Sequence, residues 1–304
     1  KYSLFCNVKK ESVIPAMNAN SIYEVPLLYY KAGLDSSLLN HLGFKANKYP
    51  LNLKPWKNVL KKINKSEKYV KIAVVGKYTN LKDSYKSLNE ALVHGGIANN
   101  KNVHIEWINS EKLNFKNIDK KLKNINGILI PGGFGYRGIE GKIKAIKYAR
   151  ENNIPFFGIC LGMQLAVIEI ARNVIKLKNA NSTEFNKTSN PVVGLMTEWI
   201  NKDKIEKRNK NSDKGGTMRL GSYNAILKKG SKIHKIYNNT SISERHRHRY
   251  EVNTKYIESF AKYGFDFTAM SPDNILPEAL ESRKHSWFIG VQFHPELKSR
   301  PFAP

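Results

Sequence analysis

Cys160 stands in a sequence context that could make it a nucleophile. It lies in the segment Gly158-Ile159-Cys160-Leu161-Gly162, directly after the apolar run at 154–157. Glycines on both sides allow a side chain to sit on a sharp turn from strand to helix, as in the nucleophile elbow written G-x-S-x-G. The beginning of the following helix would favour the thiolate over the thiol and offer free backbone N–H groups. A free cysteine is often only a small buried apolar residue, but the paired glycines favour the nucleophile here.

A thiolate nucleophile needs a base, and the segment VQFHPE at 291–296 supplies a histidine with a carboxylate close by. His294 and Glu296 are separated by one proline, so in extended backbone both side chains can point the same way. The carboxylate would then orient the imidazole. A single histidine near the end of a strand is more often structural. Together with Cys160 upstream, the pattern favours a triad in the order Cys, His, Glu.

A glycine-rich segment, PGGFGYRG at 131–138, follows the apolar run NGILI. Adjacent glycines at the end of a strand can direct backbone N–H groups into a site, as an oxyanion hole requires. The segment lacks the Lys-Ser/Thr ending of a phosphate loop, and its GxGxxG-like spacing is a weak signal by itself. We therefore expect it to bind an oxyanion.

The elements that must position these residues alternate between strand and helix from Tyr69 onward. YVKIAVVG at 69–76 is a nearly continuous apolar run, typical of a strand buried on both faces. Helical patterns at SYKSLNEALVHGGIA, IKAIKYARENN and LGMQLAVIEIAR alternate with strand patterns at VHIEWI, NGILIP and IPFFGI. This order predicts an α/β fold with a mostly parallel sheet and helices on both faces. Shorter β-like segments between 223 and 293 predict smaller antiparallel elements in the C-terminal half.

The first 68 residues show a different pattern. A β-like run at 2–8 is followed by SIYEVPLLYYKAGL, whose apolar spacing is compatible with a helix, and together they are too short to enclose a core. Residues 46–68 are rich in Lys, Asn and Pro, and their apolar residues indicate a linker that ends in a short helix.

The composition is that of a globular protein: 304 residues, of which 41% are hydrophobic. No apolar stretch approaches the length needed to cross a bilayer, and the opening residues lack the pattern of a secretory signal, so we expect a cytoplasmic protein. Cys6 and Cys160 could form at most one bridge, which indicates no disulfide framework.

The chain is strongly basic, with 51 Lys+Arg against 25 Asp+Glu and a formal net charge of +26. Such a charge raises the possibility of nucleic-acid binding. The excess is dispersed as Lys mixed with Asn, and we find no zinc-finger spacing, aromatic RNA-binding signature or basic helix leading into heptads. We favour a biased composition over polyanion binding, because net charge governs association rather than fold.

The three segments around Cys160, His294 and 131–138, in this order, resemble the triad-type (class I) glutamine amidotransferases, which have a flavodoxin-like fold. Further segments resemble the branch of that family in which a synthetase domain aminates UTP to CTP. They are SIYEVPLL, GKYTNLKDSYKSLNEAL, NANSTEF, GGTMRLG and ERHRHRYEVN. The resemblance extends over nearly the whole chain.

The resemblance implies a role for individual positions. Cys160 matches the nucleophile, His294 and Glu296 match its partners, and Gly133 and Leu161 match the oxyanion donors. The implied glutamine contacts are Gly133, Leu161, Gly162, Met163, Gln164, Glu184 and Arg249. Arg208 aligns with a position tied to the activator GTP, and no metal site is implied.

The resemblance also implies a domain organisation. Residues 1–45 match the C-terminal tail of the synthetase domain, 46–68 a linker and 69–304 the amidotransferase domain. The implied partners are L-glutamine and the synthetase domain of the same chain, in a homo-tetramer of the whole protein, with no nucleic acid and no membrane. ATP, magnesium and UTP belong to the synthetase domain, and residues that would bind them cannot be placed in this sequence; no cofactor is expected within it.

Two other classes of function remain open from the residues. A different flavodoxin-like hydrolase would also present a cysteine on an elbow, although it would have no reason to combine FHPE with NANSTEF and the arginine cluster at 245–249. A catalytically silent or regulatory interaction module is the other alternative. Glutamine hydrolysis discriminates both from an amidotransferase.

Overall fold

The computed structural model describes residues 1–44, 51–65, 68–77, 82–195, 198–201, 204–207 and 218–304. They form two compact units. The first consists of Lys1–Lys68, His94–Asn102 and Pro301–Ala303, and the second of Tyr69–Val93, Val103–Arg300 and Pro304.

The described residues before Tyr69 include four α-helices. Its helices are α1 Tyr2–Phe5, α2 Val25–Lys31, α3 Leu34–His41 and α4 Lys54–Lys65. Pro26 lies in the first turn of α2, where a missing N–H is harmless, and Gly33 at φ +80° separates α2 from α3. The prediction of a β-like run at 2–8 is wrong, because residues Tyr2–Phe5 form a helix with local hydrogen bonds such as Cys6 N to Tyr2 O at 2.9 Å.

A nine-stranded sheet forms the centre of the second unit. The strands along the chain are β1 Tyr69–Gly76, β2 Asn102–Asn109, β3 Gly127–Ile130, β4 Phe156–Ile159, β5 Ala180–Ser182, β6 Asn190–Leu195, β7 Glu198–Asn201, β8 Lys204–Lys207, β9 Arg219–Leu227, β10 Ser241–His248, β11 Tyr250–Val252, β12 Phe265–Met270, β13 Pro277–Ser282 and β14 Phe288–Val291. Their order in the large sheet is β10-β9-β12-β13-β14-β4-β3-β1-β2. The pairs β1–β3, β3–β4 and β4–β14 are parallel, and β13, β12, β9 and β10 extend the sheet with antiparallel pairs.

Helices cover both faces of this sheet. They are α5 Lys86–Ala98, α6 Ile118–Leu122, α7 Ile139–Glu151, α8 Leu161–Asn173, α9 Lys232–Tyr237 and α10 Ile257–Lys262. Alternate residues of β1 enter two different cores: Ala73 packs with the residues of α7 and α8, and Val74 packs with Leu88 of α5 and Ile233 of α9. The core on the first side includes most of α8, whose residues from Leu161 to Ala171 are all buried.

The predicted fold class is confirmed: an α/β sheet whose parallel part follows the strand-helix alternation, with antiparallel strands in the C-terminal half. Most of those antiparallel strands join the large sheet, while β11-β6-β5 and β7-β8 form two smaller sheets. β10 is one of the strands that periodicity missed, together with β5 and β6. The buried positions of β10 alternate strictly, but three of the four are polar, so no apolar pattern marks it as a strand.

Candidate active site

Cys160 occupies a strained turn between β4 and α8. It directly precedes the first residue of α8 and adopts φ +53°, a region that residues with a side chain rarely enter. Its backbone N–H donates to the carbonyl of Val291 on the neighbouring strand at 2.7 Å, and only 2% of the residue is exposed. Strain held by the surrounding structure is a frequent property of functional residues.

The glycines on each side of the elbow are required by close packing. A Cβ on Gly158 would lie 2.7 Å from the backbone of Gly162, and one on Gly162 would lie 2.2 Å from the carbonyl oxygen of Ile130. Real Cβ atoms do not approach backbone so closely, so strand β4, helix α8 and strand β3 can meet at this point only with glycine. The helix is thereby fixed with Cys160 at its beginning.

His294 and Glu296 follow the end of β14. The backbone N–H of His294 donates to the carbonyl of Arg245 on β10 at 2.8 Å, which ties the segment to that strand. The Nδ1 atom of His294 lies 2.8 Å from Oε1 of Glu296. The other ring nitrogen, Nε2, is buried, and the side chain of Cys160 also interacts with the ring.

The electrostatic surroundings of His294 hold a proton on the ring. Burial by itself lowers the pKa of His294, but hydrogen bonds and charges from Cys160 and Glu296 outweigh it and raise that pKa to about 10. The imidazole is therefore an imidazolium at neutral pH, placed between a sulfur on one side and a carboxylate on the other.

The glycine-rich segment lies against these residues. A Cβ on Gly132 would come within 2.6 Å of Cε1 of His294, so only glycine allows the ring to sit there. Gly133 faces the side chain of Leu161, which would lie 3.6 Å from an added Cβ. The first backbone N–H groups of a helix have no partner inside it, so those of Leu161, Gly162 and Met163 at the start of α8 are candidate donors to a ligand.

A second cluster of charges lies on the other side of the glycine-rich segment. Oε1 of Glu184 accepts a hydrogen bond from the backbone N–H of Gly135 at 2.8 Å, and the amine of Lys77 donates to the carbonyl of Phe134. Burial raises the pKa of Glu184, although Gly135, Lys77 and Arg249 act in the opposite direction. An anion and two cations thus lie within electrostatic range of one another, as the ammonium and carboxylate of an amino acid would require.

Gln164 is buried one turn beyond Cys160 on α8. Its Nε2 donates to the carbonyl of Tyr250 at 2.8 Å and to Oε1 of Gln292 at 3.2 Å. Its amide nitrogen is therefore engaged by the protein, and its carbonyl oxygen is the atom left for a ligand.

A cleft of about 310 Å³ opens beside the histidine. Its walls are residues 83–88, Pro131 to Phe134, Arg247, His294, Glu296 and Leu297. The cleft therefore joins the glycine-rich segment to the His294–Glu296 pair.

Arg208, the candidate GTP contact, lies outside the described residues. Within the part of the chain described, no three His, Cys, Asp or Glu side chains are grouped as a metal site would need. Over the same residues, none of the helices has the length and apolar character to cross a membrane.

Sequence reasoning missed Lys77 and a buried polar network behind the site. Lys77 immediately follows β1, and the carboxyl ends of parallel strands are where ligands bind in such sheets, so its position was a usable signal. Lys142 was also missed. It is buried on α7, and burial and then the charge of Lys77 lower its pKa to about 8, against the opposite charge of Cys160.

The buried network connects β10 to its neighbours. Arg219 pairs with Glu251 at 3.2 Å and with Glu278 at 2.8 Å, and Nδ1 of His246 lies 2.9 Å from Nε2 of His248. Burial, followed by the charge of Arg219, lowers the pKa of His246 to about 3, so its ring is neutral. These residues come from four different strands, and no local motif could have assembled them.

Comparison with known proteins identifies the family. The profile of glutamine amidotransferase class I matches residues 80–304. CTP synthase of Methylorubrum populi is 56% identical over 304 residues, and that of Pelagibacter ubique is 57% identical over 304 residues. Each alignment covers 100% of this chain and 56% of the relative, so the chain spans little more than half the length of these relatives.

Among solved structures, the glutaminase domain of Trypanosoma brucei CTPS with bound acivicin is 41% identical to this chain, with a TM-score of 0.68. The match covers 77% of this chain and 89% of that one. From the family profile and this relative, the chain belongs to the class I glutamine amidotransferases and, among them, to the CTP synthases.

Proposed function

We propose that this chain hydrolyses glutamine through a thioester on Cys160. The observation that best supports the proposal is the arrangement of three residues: Cys160 on a strained elbow at φ +53°, and His294 with its Nδ1 2.8 Å from Glu296. A nucleophile, a base and a group that orients the base are the parts that acyl transfer needs.

In the first step the thiolate of Cys160 attacks the side-chain amide carbon of glutamine, and a carbon–sulfur bond forms while the carbonyl oxygen becomes an oxyanion. The backbone N–H groups of Gly133 and Leu161 stabilise that oxyanion. Each such donor contributes on the order of 3 kcal/mol to transition-state stabilisation in comparable sites.

In the second step the imidazolium of His294 gives its proton to the leaving nitrogen, the carbon–nitrogen bond breaks and ammonia departs. A glutamyl thioester remains on Cys160. The now neutral His294 removes a proton from water, which attacks the thioester carbon. The carbon–sulfur bond breaks, glutamate leaves, and the thiolate of Cys160 and the imidazolium of His294 are restored. Glu296 stays ionised throughout and holds the ring in orientation.

Glu184 and Arg249 orient the other end of the substrate. The carboxylate of Glu184 pairs with the ammonium of the substrate, and the guanidinium of Arg249 pairs with the α-carboxylate of the substrate. Together these two contacts select an α-amino acid over a simple amide. Gln164 contributes its carbonyl oxygen.

In the whole protein we propose that the released ammonia passes to a synthetase domain, which aminates UTP to CTP. ATP and magnesium would act in that domain, GTP would activate the hydrolysis, and the whole protein would form a homo-tetramer. The whole-chain similarity to CTP synthases supports this larger reaction, and residues 1–45 would be the end of the synthetase domain.

Acivicin, the compound bound in the Trypanosoma brucei relative, tests the proposal. Incubation should attach one equivalent to Cys160 and none to Cys6, although Cys6 is exposed and Cys160 buried. Peptide mass spectrometry locates the adduct, and ammonia release from glutamine is assayed in parallel. The variant C6A should behave as wild type and C160A should be inert. Modification of Cys6 alone, or ammonia release by C160A, would contradict the proposal.

A further inference from the structure

Gln292 is a buried polar residue that no step of the glutaminase mechanism uses. It lies between Val291, the last residue of β14, and Phe293, two positions before His294. Val291 and Phe293 belong to the core on the side of α5 and α9, so alternation along the extended chain turns Gln292 to the opposite side, where α8 lies. The side chain of Gln292 is entirely buried there.

Gln292 contacts Gln164, the residue one turn beyond Cys160 on α8. Nε2 of Gln164 donates to Oε1 of Gln292 at 3.2 Å and to the carbonyl of Tyr250 at 2.8 Å. A backbone carbonyl can only accept, so the nitrogen end of the Gln164 amide must lie on this side. Two amide nitrogens would both donate, so the contacting atom of Gln292 must be its oxygen. The orientations of both amides therefore follow from the hydrogen-bond network.

Both acceptors of Gln164 are themselves anchored. The carbonyl of Tyr250 also lies 3.2 Å from Nδ1 of the buried His248, which must donate to it. The backbone N–H of Gln292 donates to the carbonyl of Glu278 on β13 at 2.9 Å. The amide of Gln164 is thus held by two acceptors on different parts of the sheet structure, and its rotation is restricted.

Gln292 is a poor choice of residue for stability alone. Its Nε2 is buried and has no hydrogen-bond partner within the described part of the chain. A buried donor without a partner is costly, whereas an apolar side chain of the same length would avoid that cost. An apolar side chain could not, however, supply the acceptor that Gln164 uses. Gln164 and Gln292 are also the only glutamines in the chain.

We propose that Gln292 is a positioning residue for Gln164, and that it holds the Gln164 amide so that Oε1 of Gln164 is presented to the substrate. With its nitrogen engaged twice, Gln164 offers only an oxygen, which selects an N–H donor such as the ammonium of glutamine. Without Gln292, one hydrogen bond instead of two would hold the amide. The inference rests on the proposed function, in which Gln164 contacts glutamine, and assigns to Gln292 a part in substrate affinity.

The alternative is a purely structural role, in which the contact only ties α8 to the segment after β14. A double-mutant cycle separates the two roles. Q292M removes the acceptor at nearly constant length, Q164M removes the group on which it acts, and Q164M/Q292M removes both. T268V is the matched control, because Thr268 makes a buried hydrogen bond to Glu281 at 2.8 Å between β12 and β13 of the same sheet.

The first measurement is the steady-state kinetics of ammonia release from glutamine, with thermal unfolding of each variant. We expect Q292M to raise KM about fivefold with kcat little changed, because the lost hydrogen bond affects bound substrate and transition state alike. The double variant should have the same KM as Q164M, since Gln292 acts only through Gln164. Q292E keeps an acceptor oxygen at the same reach and should recover most of the wild-type KM. T268V should lower stability and leave KM unchanged.

A second measurement is independent of turnover. Because the chain has only these two glutamines, isotope labelling of glutamine side-chain amides gives signals of Gln164 and Gln292 alone in nuclear magnetic resonance. The amide protons of Gln164 should exchange slowly with solvent in wild type and about tenfold faster in Q292M, because one of their two acceptors is lost. T268V should retain the slow exchange.

Additive effects of Q292M and Q164M on KM, or unchanged exchange of the Gln164 amide in Q292M, would overturn the positioning role. If Q292M fails to fold, Q164M is compared with the double variant, in which both partners are apolar, and a further rise in KM would overturn it as well. Absence of ammonia release by wild type would instead contradict the glutaminase proposal, and the amide exchange would still decide whether Gln292 fixes Gln164.

Discussion

The ring of His294 is held between two groups that both favour its charged form. Glu296 lies 2.8 Å from Nδ1, and Cys160 interacts with the other side. In the proposed mechanism, the proton that His294 would give to the leaving nitrogen is thus already present at neutral pH. The carboxylate orients the ring and does not itself take the proton, so the loss of either residue should have a different effect.

We expect H294A to abolish glutamine hydrolysis and E296Q only to impair it, by about 10²- to 10⁴-fold. E296Q should also lower the pKa of His294 from about 10, since one of the two groups that raise it is neutralised while the opposing effect of burial remains. The alkaline limb of kcat against pH should therefore move to lower pH. An E296Q enzyme as inactive as H294A would require the two roles to be revised.

Helix α7 carries a buried lysine, Lys142, within electrostatic range of Cys160. Lys142 is 1% exposed, and burial and then Lys77 lower its pKa to about 8 from an ordinary 10.5, against the influence of Cys160. A lysine whose pKa falls on folding binds its proton less tightly in the folded state. Lys142 therefore lowers the free energy of unfolding most below pH 8. This destabilisation disappears as the pH rises from 8 through 10.5.

Replacement of Lys142 by Met should therefore stabilise the protein by about 1 to 3 kcal/mol at neutral pH, since one pKa unit corresponds to about 1.4 kcal/mol. The gain over wild type should shrink above pH 8 and vanish near pH 10.5. Denaturant unfolding at several pH values measures it. K147M is a matched control, because Lys147 lies on the same helix with its side chain 37% exposed. A gain in K142M that does not depend on pH would contradict the assigned cause.

A residue of the site could be predicted from the sequence when its signal lies within a short stretch of the chain. The position of Cys160, His294 and the glycine-rich segment after the ends of strands could be predicted, because each lies in a short motif that follows an apolar run. Glu244 and His246 could not, because they alternate with arginines and the strand has the composition of an exposed charge cluster. Tyr237, which donates to Glu244, and Glu278, which lies 3.7 Å from His246, come from other elements of the chain, so only the folded sheet shows that these groups are inside.

The chain carries a formal net charge of +26. A net charge of this size affects which molecules the protein associates with rather than the reaction that it catalyses. The lysines are dispersed along the sequence. A nucleic-acid site needs cations aligned along a phosphate backbone, often with aromatic residues between them. Arg249, which directly follows β10, is better matched to a small anion, since it lies within electrostatic range of Glu184.

We expect only weak, sequence-independent binding to single-stranded or duplex oligonucleotides, lost at moderate salt. Fluorescence anisotropy over a series of salt concentrations measures both the affinity and its salt dependence. The variant R249M should raise KM for glutamine and leave this residual binding as it is. Sub-micromolar binding at physiological salt that disappears in R249M would support a nucleic-acid function instead.

The side chains of strand β10 alternate between the two faces of the sheet with a period of two residues. Glu244, His246 and His248 point inward, while Arg245 and Arg247 point outward. A single inserted or deleted residue would exchange the two sets beyond that point, because successive side chains of a strand lie on opposite faces. It would move arginines into the sheet interior and the histidines into solvent. Variants of this protein can therefore carry single substitutions in β10, whereas insertions and deletions are expected only in the turns at either end of the strand.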